Sequence, residues 1–139
     1  MDSIALKMPV TIKAKLTEKL KAKILDELTE NIKRAELEVQ QINIEEQRLV
    51  KETESSAEPD AMQRLQAIHQ HFGIERQKRM EFRSQALERK EETEKLAIGA
   101  EIVQGTLERQ VEVKVGDNMR ELMNVEVLVE DDKIVAIRS

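Results

Sequence analysis

Ser55-Ser56-Ala57-Glu58-Pro59-Asp60 interrupts an otherwise unbroken helical pattern, and the reading of this stretch decides the fold. Small hydroxyl residues are followed by a proline whose fixed φ suits the start of a helix, so the stretch is a turn. On its amino-terminal side no Gly or Pro occurs between Thr17 and Glu54. Leu25, Leu28, Ile32, Ala35, Val39, Ile42 and Leu49 recur there at helical spacing. On its carboxy-terminal side Leu65, Ile68, Phe72, Phe82, Ala86 and Leu96 trace a second apolar stripe, with Gly73 as the weak point. Thr17, in Thr17-Glu18-Lys19-Leu20, suits the N-cap of the first helix. The spacing therefore predicts helices over 17–54 and 60–96 joined by a turn at 55–59, each about 57 Å long at ~1.5 Å per residue.

Two helices of nearly equal length joined by a short turn pack antiparallel. A turn centred on Ala57 sets Leu49 opposite Leu65, Ile42 opposite Phe72, Ile32 opposite Phe82 and Leu28 opposite Ala86. The same register brings Glu38 near Arg76, Glu36 near Lys78, Lys33 near Glu81 and Lys23 near Glu91. Apolar residues meet along a seam and opposite charges meet on its flanks, as an antiparallel coiled coil requires. Around Ala35–Val39 and Glu75–Arg79 the seam is interrupted by charge. It reads as a loose stretch whose side chains snorkel outwards, or else as a polar layer that fixes register.

Outside the hairpin the period changes from helical to alternating. Ile4, Leu6, Met8, Val10 and Ile12 alternate with Lys7, Pro9, Thr11 and Lys13, the pattern of a strand with one buried face. Pro9 cannot donate a ladder hydrogen bond, which places it at an edge or a bulge. Beyond Gly99 a strand runs from Glu101 to Val115, with Gly105 marking a bulge or kink. Gly116-Asp117-Asn118 is a turn signal, followed by a short helical stretch to about Met123. Val125–Val129 and Lys133–Arg138, separated by Asp131-Asp132, form a terminal β-hairpin. The expected fold is α+β: a long antiparallel two-helix coiled-coil hairpin inserted into a small, mostly antiparallel β domain of about four strands. Residues 1–16 and 98–139 make the β base, and residues 17–97 make the helical arm.

Composition narrows the function. The chain has 139 residues, 23 basic and 28 acidic, for a net charge of −5. A nucleic-acid-binding domain would normally carry a strong basic excess. There is no Trp, Tyr or Cys, and the aromatic count is two phenylalanines. Thiol catalysis and Cys-based zinc sites lack their residues, and stacking platforms for single-stranded nucleic acid are nearly absent. His69 and His71 stand two apart on a helix and diverge, so they cannot chelate one metal together. No nucleophile elbow, phosphate-binding glycine loop or zinc-protease motif occurs. We expect no catalytic residue, metal or cofactor, and no enzyme activity. The opening Met1-Asp2-Ser3-Ile4 lacks the basic and apolar regions of a signal peptide, and no apolar run is long enough to span a bilayer. The expectation is a cytoplasmic protein that does not enter the membrane.

Candidate binding residues fall into two sets. Leu37 and Ile44, seven apart on the first helix, and Met80 and Leu87, seven apart on the second, lie off the seam. They are free to dock a second hairpin or a protein partner, which points to a homo-oligomer. Arg76, Lys78, Arg79 and Arg83 form a basic cluster on the second helix, and Lys13, Lys15, Lys19, Lys21 and Lys23 another where the β base meets the first helix. Either cluster could touch phosphates, but acidic residues face both, and internal pairing is the plainer expectation.

The alternating strand leading into Leu16-Thr17-Glu18, the charged helices, and Val111-Glu112-Val113-Lys114-Val115-Gly116-Asp117-Asn118 followed by Val125–Val129 and Lys133–Arg138 resemble the bacterial YlqD-type family. The likeness spans essentially the whole chain. It implies no activity, cofactor or site residue, because that family is uncharacterised. Asp131-Asp132 departs from the usual Asp-Gly turn, with an effect expected to be local. The leading expectation is a non-enzymatic interaction or scaffold protein that self-associates through its coiled-coil arm. The alternatives are an RNA- or ribosome-associated accessory protein using the basic clusters, or a prefoldin-like holdase. The acidic tip, Glu52 to Ala61, argues against the last.

Overall fold

A computed structural model describes all residues, 1–139. The element order is β1 (Ser3–Lys15), α1 (Glu18–Glu54), α2 (Ala61–Lys95), β2 (Glu101–Lys114), α3 (Met119–Met123), β3 (Val125–Glu130) and β4 (Lys133–Arg138). The fold is α+β, with two long helices inserted in sequence between β1 and β2. Two compact units result: Met1–Lys23 with Leu96–Ser139, and Ile24–Lys95.

The first unit is built on a four-stranded mixed sheet of order β2-β1-β3-β4. β1 pairs antiparallel with β2 along its whole length, from Ser3↔Lys114 to Lys15↔Glu101. It pairs parallel with β3 only from Val10↔Val125 to Ala14↔Val129. β3 and β4 close the sheet as an antiparallel hairpin. Pro9 therefore sits in a central strand, not an edge strand, but in the half of it that has a neighbour on one side only. That is how its missing donor is tolerated. The register slips between Ile12↔Gly105 and Lys13↔Val103, which leaves Gln104 as the extra residue of a bulge beside Gly105.

Where the chain leaves β1, Leu16 is fully buried. Its N–H donates to the carbonyl of Ala100 at 2.7 Å, and its own carbonyl accepts from Gly99 at 2.7 Å. Gly99 has φ +96°, which only glycine adopts without strain. Thr17 then caps α1, its hydroxyl accepting from the Leu20 N–H at 3.1 Å. Lys21 donates to the carbonyl of Leu96 at 2.8 Å. Asn118 caps α3 in the same way, accepting from the N–H groups of Arg120 and Glu121.

The second unit is the helical hairpin. Leu28, Ile32 and Ala86 form its buried cluster, with Ile24 packed against them. Buried Thr53 and Thr93 satisfy their hydroxyls on the carbonyls one turn back, Leu49 and Arg89. Cross-helix pairs show the helices to be antiparallel, but in a different register from the one read off the sequence. Glu38 meets Arg79 rather than Arg76, and Glu36 meets Arg83 rather than Lys78. Ile32 clusters with Ala86 rather than Phe82. The displacement is about one helical turn.

Its cause is a seam that continues through charged residues. Phe72, Arg79, Ala86 and Thr93 recur at the heptad interval, and each is buried or half-buried. Phe82 lies off that line and is 47% exposed, against 9% for Phe72. Leu96, the other misplaced seam residue, falls beyond the end of α2 and is exposed.

Candidate interaction surfaces

Leu37, Ile44, Met80 and Leu87 lie on the two helices as exposed apolar side chains, at 54%, 67%, 43% and 39% accessibility. They flank a hairpin whose core is a few aliphatic residues wide. A two-helix unit buries one stripe per helix, so apolar residues off that stripe have no partner within it.

The basic cluster on α2 is occupied by carboxylates. Arg76 donates to Asn43 at 2.9 Å and to Glu46 at 3.0 Å. Arg79 bridges Glu38 at 3.2 Å and Glu75 at 2.6 Å. Arg83 pairs with Glu36 at 2.9 Å and Lys78 with Glu75 at 3.5 Å. Arg79, through its hydrogen bond, holds the Glu75 carboxyl below the usual carboxylate range, with Lys78 adding to the effect. The interruption at Glu75–Arg79 is thus an ion-paired layer linking the two helices. In the sheet unit, Lys13 pairs with Glu126 at 2.8 Å and Lys15 with Glu130 at 4.0 Å.

His71 packs its ring edge against Phe72, with centroids 5.1 Å apart, and His69 faces Glu46 at 3.8 Å. No group of three or more His, Asp or Glu side chains is placed to hold a metal ion.

The two faces of the sheet differ in chemistry. Directly opposed residues share a face. The register therefore collects Ile4 with Val113, Val10 with Leu107 and Val125, and Val127 with Ile137 on one side. The other side carries Lys13, Glu126, Glu101 and Arg138. Arg138 contacts Glu101 and lies 3.1 Å from Glu126. Arg138 lowers the pKa of Glu101, and Lys13 that of Glu126, each chiefly by hydrogen bonding to the carboxylate. The sequence alternation anticipated one buried face, and here the structure departs from it. Met8, Val10, Ala14 and Val125 are buried, but Leu107, Ile134 and Ile137 are 64%, 65% and 72% exposed. Strand alternation sorts residues onto faces and does not say whether enough helix exists to cover one.

Residues 4–138 match the family described as YlqD protein. The chain belongs to the YlqD family. Its fold is shared by the crystal structure of a protein of unknown function from Synechococcus sp. WH 8102, with a TM-score of 0.80 and 28% sequence identity. The match covers 99% of this chain and 95% of that one. No protein of curated function matches the sequence. No helix of this YlqD-family chain is long and apolar enough to cross a membrane.

Proposed function

We propose that this YlqD-family chain is a non-enzymatic, cytoplasmic protein-interaction or scaffold protein, self-associating through its helical hairpin. The observation that carries this reading is the exposure of Leu37, Ile44, Met80 and Leu87, spaced by heptads along the two helices. In a coiled-coil hairpin such positions are the ones a second hairpin would cover. The occupied basic cluster supports the same reading. Arg76, Arg79 and Arg83 already face Glu46, Glu38 and Glu36, and binding a phosphate would cost them those partners. The RNA-associated alternative draws correspondingly less support.

Light scattering on the full chain tests the proposal. Leu37→Asp with Ile44→Asp should lower the molar mass while leaving the helical circular dichroism intact. An unchanged mass would remove self-association through the hairpin.

A further inference from the structure

β2 presents a bounded stretch of free edge, Thr106 to Glu112. We propose that an extended segment of a partner protein, with basic side chains at alternate positions, adds there as a fifth strand of the four-stranded sheet. The proposal concerns the sheet unit and stands apart from the hairpin reading.

Hydrogen bonds identify the edge. The Lys114 N–H donates to the Asp117 carboxylate at 2.8 Å, and the Lys114 carbonyl accepts from the Asp117 N–H at 3.1 Å. One residue later, the Val115 N–H donates to the carbonyl of Asp2 at 3.1 Å, on the β1 side. Backbone groups along an antiparallel strand alternate between its two sides. Those of Thr106, Glu108, Gln110 and Glu112 therefore point away from β1, where β2 has no neighbour. Asp117 closes this row at one end by taking the place of a strand residue beside Lys114. The bulge at Gln104 closes it at the other.

The remaining edges are less suited. β4 is 6 residues long, against 14 for β2. β1 is open over Ser3–Pro9, but Pro9 has no donor to offer there and α3 contacts this strand. Along that half, β1 and β2 form a ribbon two strands wide, and such ribbons are marginal in water. A strand added to β2 makes this part of the sheet three-stranded.

Charge and register select the occupant. Glu108, Gln110 and Glu112 share one face, are exposed, and have no side-chain partner within the chain. Lys7, opposite Gln110, pairs with neither glutamate. Lys or Arg side chains set opposite Glu108 and Glu112 would form cross-strand ion pairs, with uncharged residues between them beside Leu107, Arg109 and Val111. A second copy fits poorly. Directly opposed residues share a face, so a two-fold axis must set one β2 residue opposite itself. At Glu108, Arg109 or Glu112 this opposes like charges, and at Gln110 it opposes Glu108 to Glu112. At Leu107 the pairing runs into the bulge. At Val111 or Val113 the second copy would need the place beside Lys114 that Asp117 fills.

The probe is a fluorescein-labelled heptapeptide alternating Lys and Val, long enough to span Thr106–Glu112, titrated with the full chain by fluorescence polarisation. Glu108→Lys with Glu112→Lys should weaken its binding at least tenfold. Gln110→Pro removes an N–H that points to solvent, so circular dichroism should show the fold intact while binding falls at least tenfold. Should that variant unfold, amide exchange in the unsubstituted chain decides. The N–H groups of Glu108, Gln110 and Glu112 should exchange at least tenfold more slowly with the peptide bound. The proposal is overturned by a peptide that does not bind up to about 1 mM, or by amides whose exchange it leaves unchanged. Equally tight binding of a Glu-Val alternating peptide, or of one with its lysines in a single block, overturns it too. Dimerisation of the free chain that Gln110→Pro abolishes would assign the edge to a second copy instead.

Discussion

The Thr17 hydroxyl donates to the Asp131 carboxylate at 2.8 Å, across 114 positions of sequence, while accepting from the Leu20 N–H. One side chain thus both starts α1 and ties it to the β3–β4 turn. Losing an N-cap costs about 1 kcal/mol, and a hydrogen bond to a charged group contributes about 1.5–3 kcal/mol before solvent exposure reduces it. Thr17→Val should therefore lower stability by about 1–2 kcal/mol in urea unfolding. Asp131→Ala should cost less, because the cap survives it. A double-mutant cycle between the two positions should show coupling, and additive effects would mean that the contact contributes nothing.

The same turn stores strain. Asp131 and Asp132 have φ values of +45° and +69°, in the left-handed region that disfavours residues with a Cβ. Two-residue turns of this hairpin class prefer glycine at the second position. Asp132→Gly should stabilise the protein by about 0.5–1 kcal/mol, the relief of strain outweighing the added freedom of the unfolded chain. Thermal unfolding at neutral pH measures it, and a lower midpoint would show that the Asp132 side chain contributes more than the strain costs.

Acid should weaken the sheet unit in a defined direction. The carboxyls of Glu101 and Glu126 titrate below their ordinary value because Arg138 and Lys13 hydrogen-bond to the charged forms. A depressed carboxylate contributes stability above its unfolded pKa, about 4.3 for Glu, and loses it as pH falls through the folded value. Arg138→Gln should thus lower the urea midpoint at pH 7 and make a smaller difference at pH 3, where the two carboxylates are closer to protonation. Equal effects at both pH values would point to packing of the arginine stem instead.

Local chemistry was legible in the sequence, and nonlocal pairing was not. The turn at Ser55–Asp60, the Thr17 cap and the bulge beside Gly105 each depend on a few adjacent residues whose backbone preferences are strong. The exposure of Leu37 and Ile44 followed from their offset from an apolar stripe. The order β2-β1-β3-β4 could not be read in this way, because nothing local tells β1 that β3 will pair parallel to its second half. The hairpin register was missed for a different reason. A stripe drawn through apolar residues alone skips Arg79 and Arg83, which are half-buried and whose guanidinium groups reach Glu38 and Glu36. Following the heptad interval from Phe72 leads to Arg79, whereas following hydrophobicity leads to Phe82.

That distinction can be measured with two truncations of the same residue type. Phe72 is 9% exposed and Phe82 47% exposed on the same helix. Truncating a buried phenylalanine costs about 3–5 kcal/mol, through lost transfer energy and the cavity left behind. A half-exposed ring leaves no cavity and has less area to lose, so Phe82→Ala should cost under about 1.5 kcal/mol. Phe72→Ala should therefore be the more destabilising by at least about 2 kcal/mol in urea unfolding of the full chain. Equal losses at the two positions would put Phe82 back on the seam, opposite Ile32. The Glu38–Arg79 and Glu36–Arg83 pairs would then not define the register of the hairpin in solution.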